Sequence, residues 1–522
     1  ACIGGRDYNS VDMSLQTLHD VYLPSFKAGI DAGAATVMSA FNDVNGVPCT
    51  GNKYLLRDVL RDQFGFKGFV VSDAMAISEL EAHGYAEDDK DAAYKGFSAG
   101  VDMVMAGDLY NNNLPCLIEE GKITQEMVDE SVLNILTIKY MLGLFEEPYV
   151  DPDGEKCFFA PEHRQAVKEC AENAIVLLEN NGVLPLKKDA KVALIGPVSE
   201  DSESVLGSWS CLYDEKQTVT VAEGLSKLLG DRLKVSYGCD FEDDSKEGFE
   251  EALKIANESD VIIAAVGETK NMSGEASSRA SLELPGVQDE LINALFDTGK
   301  PVVLLISAGR PLVLTGYKDR ASAIVYMWQL GTETGSAVAE VLTGSFNPSG
   351  HLTTSFPERL GQIPVYYNHY NTGRPPIGRN RFEAKYIDAP VECLYPFGYG
   401  LSYTSFEYSD ALLSQDVMAK DGELTVSVKV KNTGKCGGSD VMQLYVRDLF
   451  GSRVRPVKEL KGYKKLYLEP HEEKTVTFTL KAKSLAFTRE DMVNDAQPGD
   501  FKLWIAHDSK DDTIEFDFKV IE

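Results

Sequence analysis

An aspartate that follows a short apolar run is the first residue of this chain with a candidate chemical role. Residues 69–72 are apolar and rich in β-branched side chains, which predicts a buried strand of a parallel sheet that stops at Asp73. Active sites of α/β folds are built where such strands end, so the Asp73 carboxylate is a candidate catalytic group. Taken alone, the position favours the commoner role of an Asp there, which is to cap the next helix.

A second group of acidic residues lies in a polar loop far along the chain. Residues 261–266 predict another strand, and the loop that follows it carries Glu268 and Glu275. Loops at strand ends carry function because a rigid sheet positions them. They also contain Glu simply because they are solvated, and Glu268 and Glu283 are interpreted here as solvated loop charges.

Length and composition limit the class of protein. A chain of 522 residues predicts about three domains, and its apolar content of 43% is ordinary for a globular protein. The net charge of −30 excludes nucleic acid and anionic membranes as partners, because both need clustered Lys and Arg. The sequence holds no apolar run of 18 residues, so no transmembrane helix is predicted.

The nine cysteines and the first residues bear on compartment and completeness. No pair of cysteines has CxxC spacing, which predicts free thiols, no metal site and a cytoplasmic protein. The chain begins Ala1-Cys2-Ile3, with neither Met nor a signal peptide. We therefore expect the sequence to open in the middle of a domain.

The predicted elements that must position these residues fall into three domains. In residues 1–150 strands (35–40, 69–72, 101–105) alternate with helices, including one around 92–99 and one capped by Thr124. This pattern, with Asp73 and Asp108 at strand ends, predicts part of a (β/α)8 TIM barrel, since about 145 residues supply roughly half of the 250 that a barrel needs.

The other two domains differ from the first in their sequence patterns. Residues 160–395 predict an α/β sandwich, with strands at 192–195, 261–266, 302–306 and 324–328 and helices at 249–256 and 287–296. This domain has no glycine-rich phosphate motif, so no nucleotide cofactor is expected. Residues 403–522 alternate apolar and polar side chains, for example at 424–431, 441–446, 475–480 and 501–506, which predicts a fibronectin type III-like or immunoglobulin-like β-sandwich.

Several stretches in this order resemble glycoside hydrolase family 3. Residues 68–73 resemble its nucleophile motif, and residues 273–279 resemble the acid/base loop of its bacterial β-glucosidase branch. Further agreement lies in residues 37–48, 142–145, 309–312 and 395–403. The resemblance implies the family's sequence of barrel, α/β sandwich and fibronectin-like domain.

The resemblance also implies a reaction. Retaining glycoside hydrolysis needs one carboxylate as nucleophile and one protonated carboxyl as general acid, about 5–5.5 Å apart, and no cofactor. Asp73 would be the nucleophile and Glu275 the acid/base, so the active site is predicted in a cleft between the first two domains. The implied activity is exo-acting β-D-glucosidase on aryl glucosides or short β-linked oligosaccharides.

Five further residues are predicted to bind substrate: Arg6, Met38, Phe41, Trp209 and Arg279. Phe41 stands where many relatives have a Tyr that supports the nucleophile, and a Phe offers only packing or stacking. Trp209 would stack on the leaving-group sugar or serve structure. Arg279 would also anchor the loop of Glu275.

The main departure from the family is the absence of its Lys-His sugar-binding pair, which belongs to the half-barrel that this sequence lacks. We therefore expect a partner segment of barrel to pack against residues 1–150. The alternatives are a β-xylosidase, a β-N-acetylglucosaminidase (less favoured because Glu275 and its domain are present), or an inactive sugar-binding remnant. Export to the periplasm, as in close relatives, and a homodimer also stay open.

Overall fold

This computed structural model describes residues 2–522, which divide between Cys157 and Phe158 into two compact units. The first unit is built from short strands and helices. Its strands are β1 (Thr36–Met38), β2 (Asp43–Val44), β3 (Val47–Pro48), β4 (Phe69–Ala74) and β5 (Met103–Met105). Its α-helices are α1 (Leu15–Thr17), α2 (Leu23–Asp31), α3 (Glu79–Ala82), α4 (Asp89–Ala99), α5 (Leu109–Glu119) and α6 (Gln125–Met141), with π-helical segments at Leu18–Tyr22 and Tyr54–Gln63.

Strands β1, β4 and β5 form a parallel three-stranded sheet with β4 in the centre. Helices connect the strands, as parallel pairing requires. One face of β4 carries Val70 and Ser72, both buried, and Val70 packs among apolar side chains of the helices. An ion pair inside this layer joins Arg61 to Asp102 at 2.6 Å, and Asp102 also accepts the backbone N–H of Val70 at 2.8 Å. The helices thus fix the register of the central strand.

The other face of this sheet is not covered by residues 2–157. Met38, Met103 and Met105 are 50%, 41% and 37% exposed. Alternation along β4 places Asp73 on this same face, two residues after Val71. The candidate nucleophile therefore belongs to the open side of the sheet.

The second unit contains a six-stranded sheet followed by a β-sandwich. The sheet strands are β6 (Val176–Asn180), β7 (Val192–Ile195), β8 (Leu233–Ser236), β9 (Val261–Gly267), β10 (Val302–Ser307) and β11 (Ala323–Tyr326). The helices are α7 (Pro161–Ala174), α8 (Val221–Leu229), α9 (Phe249–Asn257), α10 (Gln288–Asp297) and α11 (Thr334–Thr343). The strand order is β6-β11-β10-β9-β7-β8, parallel except for β6.

Apolar layers cover both faces of this sheet. Ile263 and Leu305 belong to the cluster on one face, and Ile262 and Leu304 to the cluster on the other. Every residue of β7, β9, β10 and β11 is buried. A sheet buried on both sides explains why these strands read as continuous apolar runs in the sequence.

The last part of the chain forms the β-sandwich. Its strands are β12 (Phe406–Leu413), β13 (Val417–Ala419), β14 (Glu423–Asn432), β15 (Gly438–Asp448), β16 (Glu459–Leu468), β17 (Glu473–Lys481), β18 (Phe487–Thr488), β19 (Asn494–Asp495), β20 (Gly499–Ala506) and β21 (Ile514–Ile521). The facing sheets are β12-β14-β17 and β13-β21-β20-β15-β16. Inward side chains such as Val428, Leu444 and Leu503 form one core between them.

The sandwich is joined to the six-stranded sheet within the second unit. The buried Gln443 donates from its amide to the carbonyls of Gly398 and His507, at 2.9 and 2.5 Å. A Cβ at Gly398 would lie 2.0 Å from the Gln443 amide oxygen, so only glycine fits this close approach. The segment that links the two parts is therefore locked to the sandwich.

The predicted elements agree with the structure except at their ends. The strand predicted at 35–40 is Thr36–Met38, the one at 101–105 is Met103–Met105, and the one at 69–72 extends to Ala74, so Asp73 lies inside it. Thr124 does cap α6, accepting the backbone N–H of Met127. The edge strands β6 and β8 were not predicted. The domain limits 1–150, 160–395 and 403–522 stay a prediction. Within residues 2–522, no helix has the length and apolar character to cross a membrane.

Candidate functional site

The carboxylate of Asp73 is positioned by the backbone at the end of β4. It is half-buried, and its Oδ1 accepts the N–H of Ala74 at 2.7 Å. Among residues 2–522 this is the only hydrogen bond made to the carboxylate. Most of its capacity to accept hydrogen bonds is therefore unused by residues 2–522 and is left for a ligand.

The pairing of β4 with β5 is irregular near Asp73, and this irregularity sets the direction in which β4 ends. The Ser72 hydroxyl accepts the N–H of Met105 at 2.9 Å and donates to the carbonyl of Asp73 at 2.9 Å. The register shifts between Val71 and Ala74, and Met75 has a left-handed φ of 63°. Such backbone strain is stored where structure must aim a side chain, and here it fixes the exit of the chain just after Asp73.

The three other candidates in the first unit have different surroundings. Met38 lies beside Val71 in register and lines an apolar groove of about 260 Å³. Phe41 packs edge-to-face against Tyr8, with ring centroids 5.4 Å apart. Arg6 is exposed. None of the three hydrogen-bonds to Asp73 within the described residues, and their roles in substrate binding stay predictions.

The loop of Glu275 begins at a strongly fixed strand end. The side chain of Gln288, fully buried, accepts the N–H of Gly267 at 2.8 Å and donates to its carbonyl at 2.9 Å. After one turn of 3₁₀-helix (Lys270–Met272) the chain reaches Gly274 and Ala276, both with left-handed φ. Glu275 stands between them and is exposed in its own unit. The turn thus places Glu275 at the surface of the loop.

A buried ionic cluster holds this loop, and it overturns one interpretation. Glu268 is 0% exposed and pairs with both Arg279 and Arg310, so its interpretation as a solvated charge is wrong. Arg310 also donates to the carbonyls of Met272 and Ser277, and Arg279 to that of Glu283. One buried carboxylate, with two guanidinium groups, therefore ties together both ends of the segment that carries Glu275.

This finding also bears on the prediction for Arg279. Its guanidinium is engaged by Glu268 and by the carbonyl of Glu283, as expected of a residue that anchors the loop. Its predicted role in binding substrate stays a prediction. Glu283 itself has an exposed side chain.

A second loop packs against the first. Lys270 donates to Glu203 at 2.6 Å and to the Tyr213 hydroxyl at 2.5 Å, and the hydrogen bond from Lys270 lowers the pKa of Glu203. A Cβ at Gly274 would lie 2.1 Å from the Ser208 hydroxyl. The residue after Ser208 is Trp209, which is 69% exposed. The structure therefore brings Trp209 and Glu275 onto neighbouring loops of the second unit.

Sequence reasoning missed the burial of Glu268, its partner Arg310 and the Lys270–Glu203 pair. A signal for Arg310 was present, since it lies three residues after the end of strand β10, in the family-like stretch at 309–312. No signal pointed to Glu203. Within residues 2–522, no group of three or more His, Cys, Asp or Glu side chains is arranged to hold a metal ion.

Comparison with known protein families agrees with this architecture. Residues 1–138 match the glycosyl hydrolase family 3 N-terminal domain, and residues 175–403 match the glycosyl hydrolase family 3 C-terminal domain. Residues 440–509 match the fibronectin type III-like domain. The predicted fold class, a partial (β/α)8 barrel with an α/β sandwich and a fibronectin type III-like β-sandwich, is confirmed.

Individual proteins resemble the chain over nearly all its length. A periplasmic beta-glucosidase of Salmonella typhimurium is 44% identical over 97% of this chain and 70% of its own length. A beta-xylosidase of Formosa agariphila is 40% identical over 97% of this chain and 72% of its own. The crystal structure of beta-glucosidase from Listeria innocua in complex with isofagomine superimposes with a TM-score of 0.97 at 39% identity, covering all of this chain and 73% of that one.

Proposed function

Because this chain belongs to glycoside hydrolase family 3, we propose that it is a retaining, exo-acting β-D-glucosidase with Asp73 as nucleophile and Glu275 as acid/base. Its substrates would be aryl β-glucosides and short β-linked oligosaccharides. The observation that carries the assignment of the nucleophile is the position of Asp73: a carboxylate on the open face of the central strand, at its carboxyl end.

In the first step the Asp73 carboxylate attacks the anomeric carbon of the terminal sugar. The bond from that carbon to the leaving oxygen breaks, and the Glu275 carboxyl gives that oxygen its proton. The products are a free alcohol and a glycosyl ester on Asp73. The lone pairs of Asp73 that face away from Ala74 are the ones available for this attack.

In the second step the Glu275 carboxylate takes a proton from water. The water oxygen attacks the anomeric carbon, and the ester bond to Asp73 breaks. Two displacements at one carbon retain its configuration. The proton that Glu275 takes from water restores its acid form for the next turnover, and the Glu268 cluster would keep its loop in place during both steps.

A β-xylosidase is the second candidate, supported by the similar identity to the Formosa beta-xylosidase. A xyloside differs from a glucoside by one hydroxymethyl group, and such a difference gives only about 10–200-fold discrimination. The division into domains at 1–150, 160–395 and 403–522 belongs to this proposal. A cytoplasmic location is proposed from the cysteine pattern, and the periplasmic alternative is supported by the Salmonella relative.

The test uses the full-length protein with a panel of nitrophenyl glycosides and a Glu275→Ala variant. The glucoside should be hydrolysed fastest, and a sugar-binding remnant would hydrolyse none. Glu275→Ala should slow substrates with a poor leaving group about 10²–10⁴-fold while sparing dinitrophenyl glucoside in its first step. Azide should then attack the anomeric carbon of the glycosyl ester, release the Asp73 carboxylate and give the β-glycosyl azide.

Glu283→Ala is the matched control, since Glu283 lies eight residues further along and has an exposed side chain. It should behave like the wild type with every substrate and show no rescue by azide. Equal slowing of both substrate types by Glu275→Ala, with no azide product, would remove Glu275 from the mechanism.

A further inference from the structure

A groove of the second unit lies away from the loops of Glu275 and Trp209. Its volume is about 680 Å³, in the range of small-molecule sites. The floor is the outer face of strands β15 and β20, including Arg447 and Trp504. The walls come from two stretches of irregular chain, around Tyr366 and around Glu392. None of its lining residues belongs to the segments 203–213 or 268–279.

Both walls are fixed by hydrogen bonds, so the groove exists before a ligand arrives. The N–H of Val457 donates to the carbonyl of His369 at 2.9 Å, and the N–H of Leu460 donates to the Tyr367 hydroxyl at 3.2 Å. On the other side the buried amide of Gln362 donates to the carbonyls of Pro390 and Glu392 at 2.9 and 3.0 Å. A preformed groove loses little entropy on binding.

Arg447 is the unusual residue of the floor. Arg447 is half-buried, and its guanidinium makes no ion pair and no side-chain hydrogen bond with residues 2–522. Its cross-strand neighbour is Lys502, another cation, and Lys502 engages Glu515 and Asp517. Like charges directly opposite in an antiparallel pair are destabilising. The fold thus keeps an unneutralised arginine in a groove, although the protein as a whole carries a charge of −30.

The remaining charges of the groove leave it able to take an anion. Lys458 engages Asp512 at 2.6 Å, so these two neutralise each other. Lys510 is exposed and its ammonium has no partner within the described residues, while Glu392 is an exposed carboxylate on the rim. Arg447 and Lys510 together exceed the charge of Glu392, and His369 adds a hydrogen-bonding ring.

Two tyrosines add a second kind of contact. Tyr366 is 59% exposed and Tyr386 is 43% exposed, and both line the groove. Exposed aromatic rings offer apolar faces together with a polar hydroxyl tip. A pyranose ring has matching C–H faces and hydroxyl groups. An arginine with a free planar fork binds a carboxylate through two parallel hydrogen bonds.

We propose that this groove binds a saccharide that carries a carboxylate, that is, a uronic acid residue. Arg447 binds the carboxylate, Lys510 adds attraction, and Tyr366 and Tyr386 contact the sugar ring. The groove is a binding site separate from hydrolysis, and it would attach the protein to acidic polysaccharide. This inference does not depend on the identity of the catalytic residues.

The test measures binding of D-glucuronate, D-glucose and acetate to the full-length protein by calorimetry or ligand-observed NMR. Glucuronate should bind in the millimolar range or tighter. Arg447→Gln should weaken this binding about 10–100-fold, because it removes a charge-assisted bidentate contact. Arg447→Lys should weaken it less, and Tyr366→Ala should weaken it several-fold. Hydrolysis of nitrophenyl glucoside should not change in any of the three.

Arg320→Gln is the control, since Arg320 is a surface arginine hydrogen-bonded to Asn293 in the same unit. It should bind glucuronate like the wild type. Binding of acetate as tightly as glucuronate would overturn the saccharide part of the proposal. No binding of glucuronate, or equal binding by wild type and by correctly folded Arg447→Gln and Arg447→Lys, would overturn the site altogether.

Discussion

The two candidate carboxylates are held by opposite means. Asp73 is part of a strand in a three-stranded sheet that residues 2–157 cover on one face only, and it is aimed by strand pairing and by local hydrogen bonds of the Ala74 N–H and the Ser72 hydroxyl. Glu275 lies on an irregular loop beyond a six-stranded sheet that is buried on both faces, and its loop is held by a buried glutamate and two arginines.

The contrast shows what each kind of placement requires. A strand fixes its own side chains, because backbone pairing determines both position and face. A loop has no such internal pairing, so side chains from distant segments must satisfy its carbonyls. The four predictions below start from this difference and run from the largest expected effect to the smallest.

Asp73→Asn should abolish hydrolysis while the fold is kept. Loss of a covalent nucleophile removes the reaction path, so we expect a decrease in kcat of about 10⁴-fold or more. The neighbouring strand offers a control in Asp108, an exposed acid that follows β5, and Asp108→Asn should keep most of the activity. Steady-state assays measure the loss of activity, and circular dichroism shows whether the fold is kept. Activity of Asp73→Asn within tenfold of wild type would remove Asp73 as nucleophile.

Glu268→Gln should destabilise the second unit by about 3–5 kcal/mol, because two guanidinium groups would lose their buried partner. Unlike Glu275→Ala, it should slow good and poor leaving groups alike, since it disturbs the loop and not proton transfer. Denaturant unfolding and a leaving-group series measure both effects. If Glu268→Gln is stable and azide rescues it, Glu268 is itself the acid.

The two sheets should respond differently to truncation of a strand residue. Leu304 is fully buried in β10, and Leu304→Ala should cost about 2–5 kcal/mol of unfolding free energy. Met103 lies on the open face of β5, and Met103→Ala should lower the unfolding free energy by less than about 1 kcal/mol. The measurement is urea unfolding of the 522-residue chain. Equal costs would mean that the face of Met103 is covered.

The smallest expected effect is on the pH dependence of stability. Burial, with the nearby Glu340, raises the pKa of Glu172 in α7 to about 7, against the opposing effect of Lys168. A raised folded-state pKa stabilises the protein below the unfolded value near 4.5, and this contribution is lost as the pH rises through about 7. Glu172→Gln should flatten the fall in Tm between these pH values. An unchanged Tm profile would contradict the assignment.

The pattern of apolar residues along the sequence predicted those strands in which every residue is buried. The runs of β7, β9 and β10 are continuous and apolar, and their predicted limits lie within one residue of the observed ones. Edge strand β8 was missed because it has four residues, all partly or fully exposed, and so no apolar run. Strand β6 was missed although it is buried; it follows α7 almost directly and pairs antiparallel with β11.

The candidate site was predictable to the same extent. The position of Asp73 at a strand end could be predicted, because the strand is formed by the residues directly before it in the sequence. The burial of Glu268 could not, because Arg310 is 42 residues away in sequence and a glutamate in a polar loop reads as solvated. Charged residues that are distant in sequence are brought together by tertiary packing, and the local pattern of apolar and polar residues does not reveal such contacts.

The contact between Gly274 and Ser208 has a consequence for engineering. Because any side chain at residue 274 would collide with Ser208, the loop with Trp209 and the loop with Glu275 cannot change shape independently. Gln329 connects the two loops, because it donates to Ser273 in the loop of Glu275 at 3.2 Å and lies against Gly207 in the loop of Trp209. A graft that transplants one loop from a relative into this scaffold should fail, whereas the two loops and residue 329 should transfer together as a single cassette.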